Sequence, residues 1–370
     1  MRSGLITAVT RRRLATMAAA AAILTAPTVA FAQGAPPLTA VEKIYAELAA
    51  LPKPERARRI EQGARQEGKL VLVHTLRGPL GAGHVELFHR RYPFLALDVA
   101  GEVGSQDAAE RLLAEETAGR HLTDAIVTAV MDLDELIRRN QVARYPTPAV
   151  EAILPRYRAF IDPQNRWIPW FWSEHGISYN TRLVPPEQAP RGWNDLCNPF
   201  FRGGVSFDPA ENRFLSGLNA MLGEAGTLRL LKCIGANDPI VQRGHTQRME
   251  LMLAGDHMVQ GDNYLYHGVA MQRKNPAAPY AIVYSAPILA TNDVAAINRN
   301  APNPYAAALF ADWTLSAESQ AYLAAQLRGP VTLPHPFLPD SVELIDNIDP
   351  PPEVMDRLLA GWYRYVEKQK

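Results

Sequence analysis

The residues best suited to chemistry lie in the run Asp262-Asn263-Tyr264-Leu265-Tyr266-His267. Read as the end of a strand, this run turns Tyr264 and Tyr266 to one face, because side chains alternate along a strand. Two phenols on one face can hold a metal, stack on an organic solute, or simply pack. A second candidate is the stretch from Lys69 to Ala100. Leu70 to Val73 predicts a strand buried on both faces. His74, Thr75 and Arg77 then lead a loop running to Gly83. Ligands of open α/β sheets sit outside the carboxyl ends of the strands, so this loop is expected to line a site. Its Gly81-Ala82-Gly83 has three readings: half of a dinucleotide fingerprint, a solute site at a helix N-terminus, or a plain turn. Glu102 and Ser105 follow the second predicted strand in the same way.

Motifs for catalysis are missing. The chain has no HExxH, G-x-S-x-G, Walker loop or paired CxxC. His84 and His89 are five apart on one predicted helix, the wrong spacing for a zinc pair, and read as a surface pair. No close pair of carboxylates stands out for general acid/base work. A binding protein without a cofactor is expected. The alternative class is a secreted two-domain α/β enzyme, whose catalytic groups would come from distant positions.

The elements that must position these residues begin after an export signal. Arg11 to Arg13 form a basic start, Leu14 to Ala26 an apolar run, and Ala30-Phe31-Ala32 a cleavage site. Thr10 to Leu14 only partly matches a twin-arginine pattern, so export by the general route is expected. The cleavage site is followed by Gln33 rather than cysteine, which excludes a lipid anchor there, and no later run is long and apolar enough to span a bilayer. A periplasmic protein follows. Removing residues 1–32 from 370 takes away four Arg and no acid, leaving 34 basic against 38 acidic residues. That balance speaks against nucleic acid or an anionic membrane as partner. Cys197 and Cys233 either form a disulfide or remain two buried thiols.

Strands and helices alternate up to Arg139, the pattern of a parallel sheet. Val41 to Gly68 reads as helices broken near Pro52 and Pro54. Asp107 with Glu110, and Asp132 with Glu135, read as capping boxes of two further helices. Arg166 to Asn180 holds three of the six tryptophans and reads as extended chain. Strands are expected at 203–207, 258–261, 281–284 and 293–297. Ala306, Leu309, Phe310 and Trp313 mark one face of an amphipathic helix. A terminal helix follows Pro350.

Five segments in order then carry a resemblance: GARQEGKLVLVHT, AEETAGRHLTDAIVT, HGISYNTRLVPPEQAPRGWNDLCNPFFRGGVSFDP, RMELMLAGDHMVQGDNYLY and APNPYAAALFADWTLSAESQAYL. The chain resembles the periplasmic solute-binding proteins of ABC importers, within the cluster that includes ferric-iron binders. The resemblance implies an α/β fold of type II periplasmic-binding-protein kind, two lobes with mixed sheets joined by crossing strands. It implies a first lobe from 33–171 and 285–370 and a second from 172–284. It also implies a monomer that closes on a small solute and docks on an inner-membrane permease. The expected ligand contacts are His74, Thr75, Arg77, Glu102, Ser105, Trp172, Arg213, Asp262, Tyr264 and Tyr266, with Trp170 as a further wall. In ferric members the two tyrosines are adjacent, whereas Leu265 separates them here, and anionic oxygens are few. A small organic solute, such as a phosphonate or carboxylate, is therefore expected. Ferric iron on Tyr264 and Tyr266 is the alternative.

Overall fold

Thr39 caps the first helix reciprocally. Its hydroxyl accepts from the Glu42 N–H at 3.3 Å, and Glu42 accepts from the Thr39 N–H at 3.1 Å. The computed structural model describes residues 37–101, 103–210 and 212–367. The export signal and Glu102 lie outside the described residues.

Helix α1 (Ala40–Ala49) gives way at Pro52 to α2 (Lys53–Glu67), which Gly68 ends with φ of 65°. Then come β1 (Lys69–His74), α3 (Gly78–Arg91), β2 (Ala96–Ala100), α4 (Ser105–Thr117), β3 (Ala125–Ala129) and α5 (Asp134–Arg138). β1 pairs in parallel with both β2 and β3, as the alternating pattern predicts. The long extended run is one strand, β4 (Trp167–Asn180). Beyond it lie β5 (Val205–Phe207), α6 (Asn212–Ala236), β6 (Ile240–Val241), α7 (His245–Ala254), β7 (Val259–Tyr264), α8 (Leu265–Lys274) and β8 (Tyr280–Ile282). The chain finishes with β9 (Ile288–Ile297), α9 (Pro304–Thr314), α10 (Ala317–Ala325), β10 (Gly329–Pro330), β11 (Leu344–Asp346) and α11 (Pro352–Trp362). α6 is two helices joined at Gly223, whose φ of 67° breaks the helical path.

Four local expectations change. The loop after β1 is only Thr75 to Arg77, because Pro79 starts α3 early, where its missing N–H costs nothing. Gly81 and Gly83 are thus helical and serve close packing. A Cβ at Gly81 would lie 2.0 Å from the Leu76 carbonyl oxygen, and one at Gly83 would lie 2.3 Å from the Tyr322 hydroxyl. α4 begins behind Gly104, with Asp107 inside its first turn rather than capping it. Asp132 sits in a 3-10 turn, Val130–Leu133, so α5 starts only at Asp134.

The strands make one sheet in the order β2-β1-β3-β9-β4-β7-β5-β6, with β10 and β8 on β4 and β11 on β9. β9 runs antiparallel to β3 on one side and to β4 on the other. Two large apolar cores flank this middle. The first gathers Leu70, Leu72, Phe88, Ile168, Phe310 and Trp313. The second gathers Phe207, Phe214, Leu218, Leu231, Leu358 and Trp362, so α11 packs on α6 in the second core. Cys197 and Cys233 form a disulfide, with Cα atoms 5.6 Å apart, tying a 3-10 turn to the later half of α6. The alternative of two free thiols falls away.

The bridge closes a loop of 36 residues. Chain-entropy reasoning gives such a loop about 2–4 kcal/mol of stability. Urea titration of a Cys197→Ser, Cys233→Ser variant should show a loss in that range. Equal midpoints would mean that the bridge adds nothing beyond local packing.

Candidate functional site

Arg213 is the centre of the polar cluster between the two cores. It is the second residue of α6, and Tyr264 is the last residue of β7. Arg213 Nη1 donates to the Tyr264 hydroxyl at 3.1 Å. Its Nη2 lies 3.9 Å from Oδ2 of Asp132, which sits on the turn that follows β3. Asp293, on β9, accepts from Ser173 Oγ of β4 at 3.1 Å. Burial works against the charge on Arg213, but Tyr264, Asp293 and Asp132 outweigh it and hold the guanidinium above its ordinary value. Burial pushes the Asp293 carboxyl up to about 6, although Arg213, Ser173 and Arg328 pull it down. Asp132 is raised by burial as well, against the pull of Arg213.

Aromatic rings build the adjoining wall. The Tyr264 ring centroid lies 4.0 Å from that of His175, 4.7 Å from His245 and 5.5 Å from Tyr266. The Arg328 guanidinium stands 3.6 Å over the Tyr266 ring. A cavity of about 250 Å³ opens beside Arg213, lined by Gln106, Met131, Asp132, Asn212 and Asp349. Its walls thus come from α4 and the turn after β3 on one side and from the start of α6 on the other. The Arg213 guanidinium and the Asp132 and Asp349 carboxylates line this cavity, with the Tyr264 hydroxyl against Arg213, and can together orient a small polar solute.

The expected contacts divide. Arg213, Tyr264 and Tyr266 come together, although the strand reading of the two tyrosines was incomplete. The strand ends at Tyr264 and Leu265 opens α8, so Tyr266 is helical. Asp262 lies one turn of strand deeper, buried, 3.6 Å from His175 Nδ1. Ser105 is the first residue of α4, and its carbonyl accepts from Thr128 Oγ1 at 3.2 Å. Arg77 is exposed and donates to the Val103 carbonyl at 3.3 Å, while Thr75 beside it is half-buried.

His74 and Trp172 turn elsewhere. His74 is 1% exposed, with Nε2 3.2 Å from His84 Nδ1, and His84 Nε2 lies 3.0 Å from Ser319 Oγ. Trp170 packs on both imidazoles. His84 is therefore a core residue, not half of a surface pair, because α10 covers that face of α3. Trp172 follows the opposite face of β4 from Ser173 and packs on Tyr157 and Phe160. The residues missing from the expectation are Asp132, Ser173, Asp293 and Arg328. Asp293 carried a signal, a charge inside an apolar strand. Asp132 carried another, as the first acid after β3. Ser173 and Arg328 carried none.

This fold and cleft are those of a recognised class of binding proteins. The profile of the bacterial extracellular solute-binding proteins matches residues 127–344, and the chain belongs to that family. It is the solute-binding component of an ABC transporter, a binding protein rather than an enzyme. Among solved structures, iron-bound HitA from Pseudomonas aeruginosa aligns with a TM-score of 0.66 at 17% identity, over 80% of this chain and 99% of that one. AfuA from Actinobacillus pleuropneumoniae, with fructose-6-phosphate bound, aligns at 0.63 and 19%, over 82% of this chain and 100% of that one. The spermidine/putrescine transporter protein PotD from Streptococcus pneumoniae aligns at 0.64 and 15%, over 82% and 99%. These likenesses establish the type II periplasmic-binding-protein fold. A search of curated protein sequences found no match. Among the described residues, no helix is long and apolar enough to cross a membrane.

The buried imidazoles predict acid sensitivity. Burial pushes His74 down to about 4, whereas an unfolded histidine titrates near its ordinary 6.5. Between those values the unfolded chain binds more protons than the fold. Stability is thus fully present above the higher value and is lost as pH falls to the lower. The shift corresponds to about 3 kcal/mol. Urea titrations at about pH 7 and about pH 4.5 should show that His74→Gln loses less stability on acidification than the parent. Equal losses would place the acid sensitivity in other groups.

Proposed function

We propose that the protein captures a small organic solute carrying an anionic group in the cleft at Arg213 and delivers it to an inner-membrane permease. It acts in the periplasm as a monomer and leaves the solute's bonds untouched. The observation that carries this reading is the Arg213 guanidinium, held charged and fixed between Tyr264 and Asp132. A planar guanidinium matches the two oxygens of a carboxylate or phosphate. Arg328 adds a second positive charge beside Tyr266. Asp132 and Asp293 remain to accept hydroxyl or amine protons from the rest of the solute.

The two lobes of this reading follow the two cores. β4 and β9 serve as the hinge, and α11 belongs with the second lobe, whose core it joins. The solute favours the closed arrangement because only there do Asp132 and Arg213 reach it together, which is a population shift. Ferric iron is the second reading, favoured by the 5.5 Å approach of the Tyr264 and Tyr266 rings. Two guanidiniums beside those rings oppose a trivalent cation on charge grounds.

Native mass spectrometry of protein purified from a periplasm should recover a solute with an acidic group. Arg213→Met should then bind that solute about 10- to 100-fold more weakly, the scale of one charged hydrogen bond. Full affinity in Arg213→Met, or conversion of the solute during binding, would count against the proposal. Ferric loading makes its own forecast, a visible phenolate band that Tyr264→Phe removes; appearance of that band at stoichiometric iron would favour the second reading.

A further inference from the structure

A larger cavity, of about 840 Å³, lies against the other face of the hinge strands. Neighbouring residues of a strand point to opposite faces. Asp293 shares the cleft face with Ser173, so Asn292 looks away from it, as does Trp172, its pairing partner on β4. Asn292 lines the larger cavity with Phe160, Trp167, Asp346, Ile348 and Met355. Phe160 packs against the first large core and Met355 belongs to the second, so the walls draw on both sides of the hinge. The volume lies in the range of small-molecule sites, and most of these side chains are apolar.

The polar groups at its inner wall point to a ligand. Asn292 is 2% exposed, and its Oδ1 has no hydrogen-bond partner in the protein. Asp346 Oδ1 and Trp167 Nε1 are buried and unpaired as well. Folded proteins leave few such atoms without a partner, because each costs free energy. The charges are also unbalanced. Arg138 pairs with Asp134, and Arg166 pairs with Asp162 at 2.8 Å. Asp349 accepts from Ser216 and feels Arg213. Among the described residues Asp346 has no cation against it, and burial pushes its carboxyl up to about 6. Arg138 and Arg166 also line the cavity, but each is engaged by its own carboxylate, and Asp346 is the lining carboxylate left without a basic group among the described residues.

We propose that this cavity is a second ligand site, which takes an organic cation: its ammonium meets Asp346 and Asn292, and its apolar body lies along Trp167 and Phe160. The site is separate from the Arg213 cleft, and the two cavities share only Met131 and Asp349 among their described lining residues.

Phenethylammonium is a suitable probe, with neutral 2-phenylethanol and anionic phenylacetate as controls. Calorimetric titration of the full mature protein at about pH 8 keeps Asp346 ionised. Saturable binding of one phenethylammonium per chain is expected, about tenfold or more tighter than 2-phenylethanol. Asp346→Asn should erase that preference, and Tyr264→Ala should leave it intact. If Asp346→Asn does not melt cooperatively, Ile348→Trp at the rim decides instead, by blocking the probe. Equal affinity for the ammonium and the alcohol, undiminished binding in the altered cavity, or loss of binding in Tyr264→Ala would each overturn the proposal. The last outcome would place the probe in the cleft.

Discussion

Everything in this protein depends on the pairing of β4 with β9. The two strands pair antiparallel from Trp167 opposite Ala296 to His175 opposite Leu289, through the ground between both large cores. One face of the pair carries Ser173, His175 and Asp293, the face toward Arg213 and Tyr264. The other presents Trp172, Glu174 and Asn292. A slip of β4 by one residue would put Trp172 where Ser173 stands. The irregularity between Pro169 and Phe171 matters for the same reason, since it sets the phase of everything after it.

A buried polar contact helps to hold this phase. Glu174 Oε1 lies 2.8 Å from His335 Nε2. His335 Nδ1 accepts from the backbone N–H groups of Phe337 and Leu338 at 3.3 and 2.9 Å. That nitrogen must carry a lone pair, so Nε2 carries the proton and donates to Glu174. The backbone thus selects the tautomer, and no imidazolium is needed. Gly329 permits the arrangement, because a Cβ there would lie 2.1 Å from Glu174 Oε1.

The cleft works by a different balance. Two carboxylates and a guanidinium are withdrawn from water together, which costs desolvation that their mutual attraction only partly repays. Such a cluster is poor evidence for stability and better evidence for recognition. In the proposed site, Arg213 is held charged and in a fixed position by Tyr264 and Asp132, so little ordering would remain to be done on binding. The rings of Tyr264 and Tyr266 form an aromatic wall, and the buried His175 packs behind Tyr264.

By itself, the sequence determined the elements whose signal is local. The apolar run Leu70 to Val73, the helical end at Gly68, the spacing Ala306, Leu309, Phe310, Trp313 and the alternating strands and helices all read correctly, and five ordered segments carried the family resemblance. Short stretches read less well. Six residues from Asp262 to His267 cannot separate a period of 2 from one of 3.6, so the helix that starts at Leu265 was invisible. His74 was expected to face solute because it ends a strand, yet His84, Trp170 and Ser319, brought from three other elements, cover it. Only the tertiary structure decided the site. Asp132, Arg213, Tyr264 and Asp293 are far apart in the chain, and no local pattern pairs them. Their meeting depends on the phase of β4 against β9, which is a property of the assembled sheet.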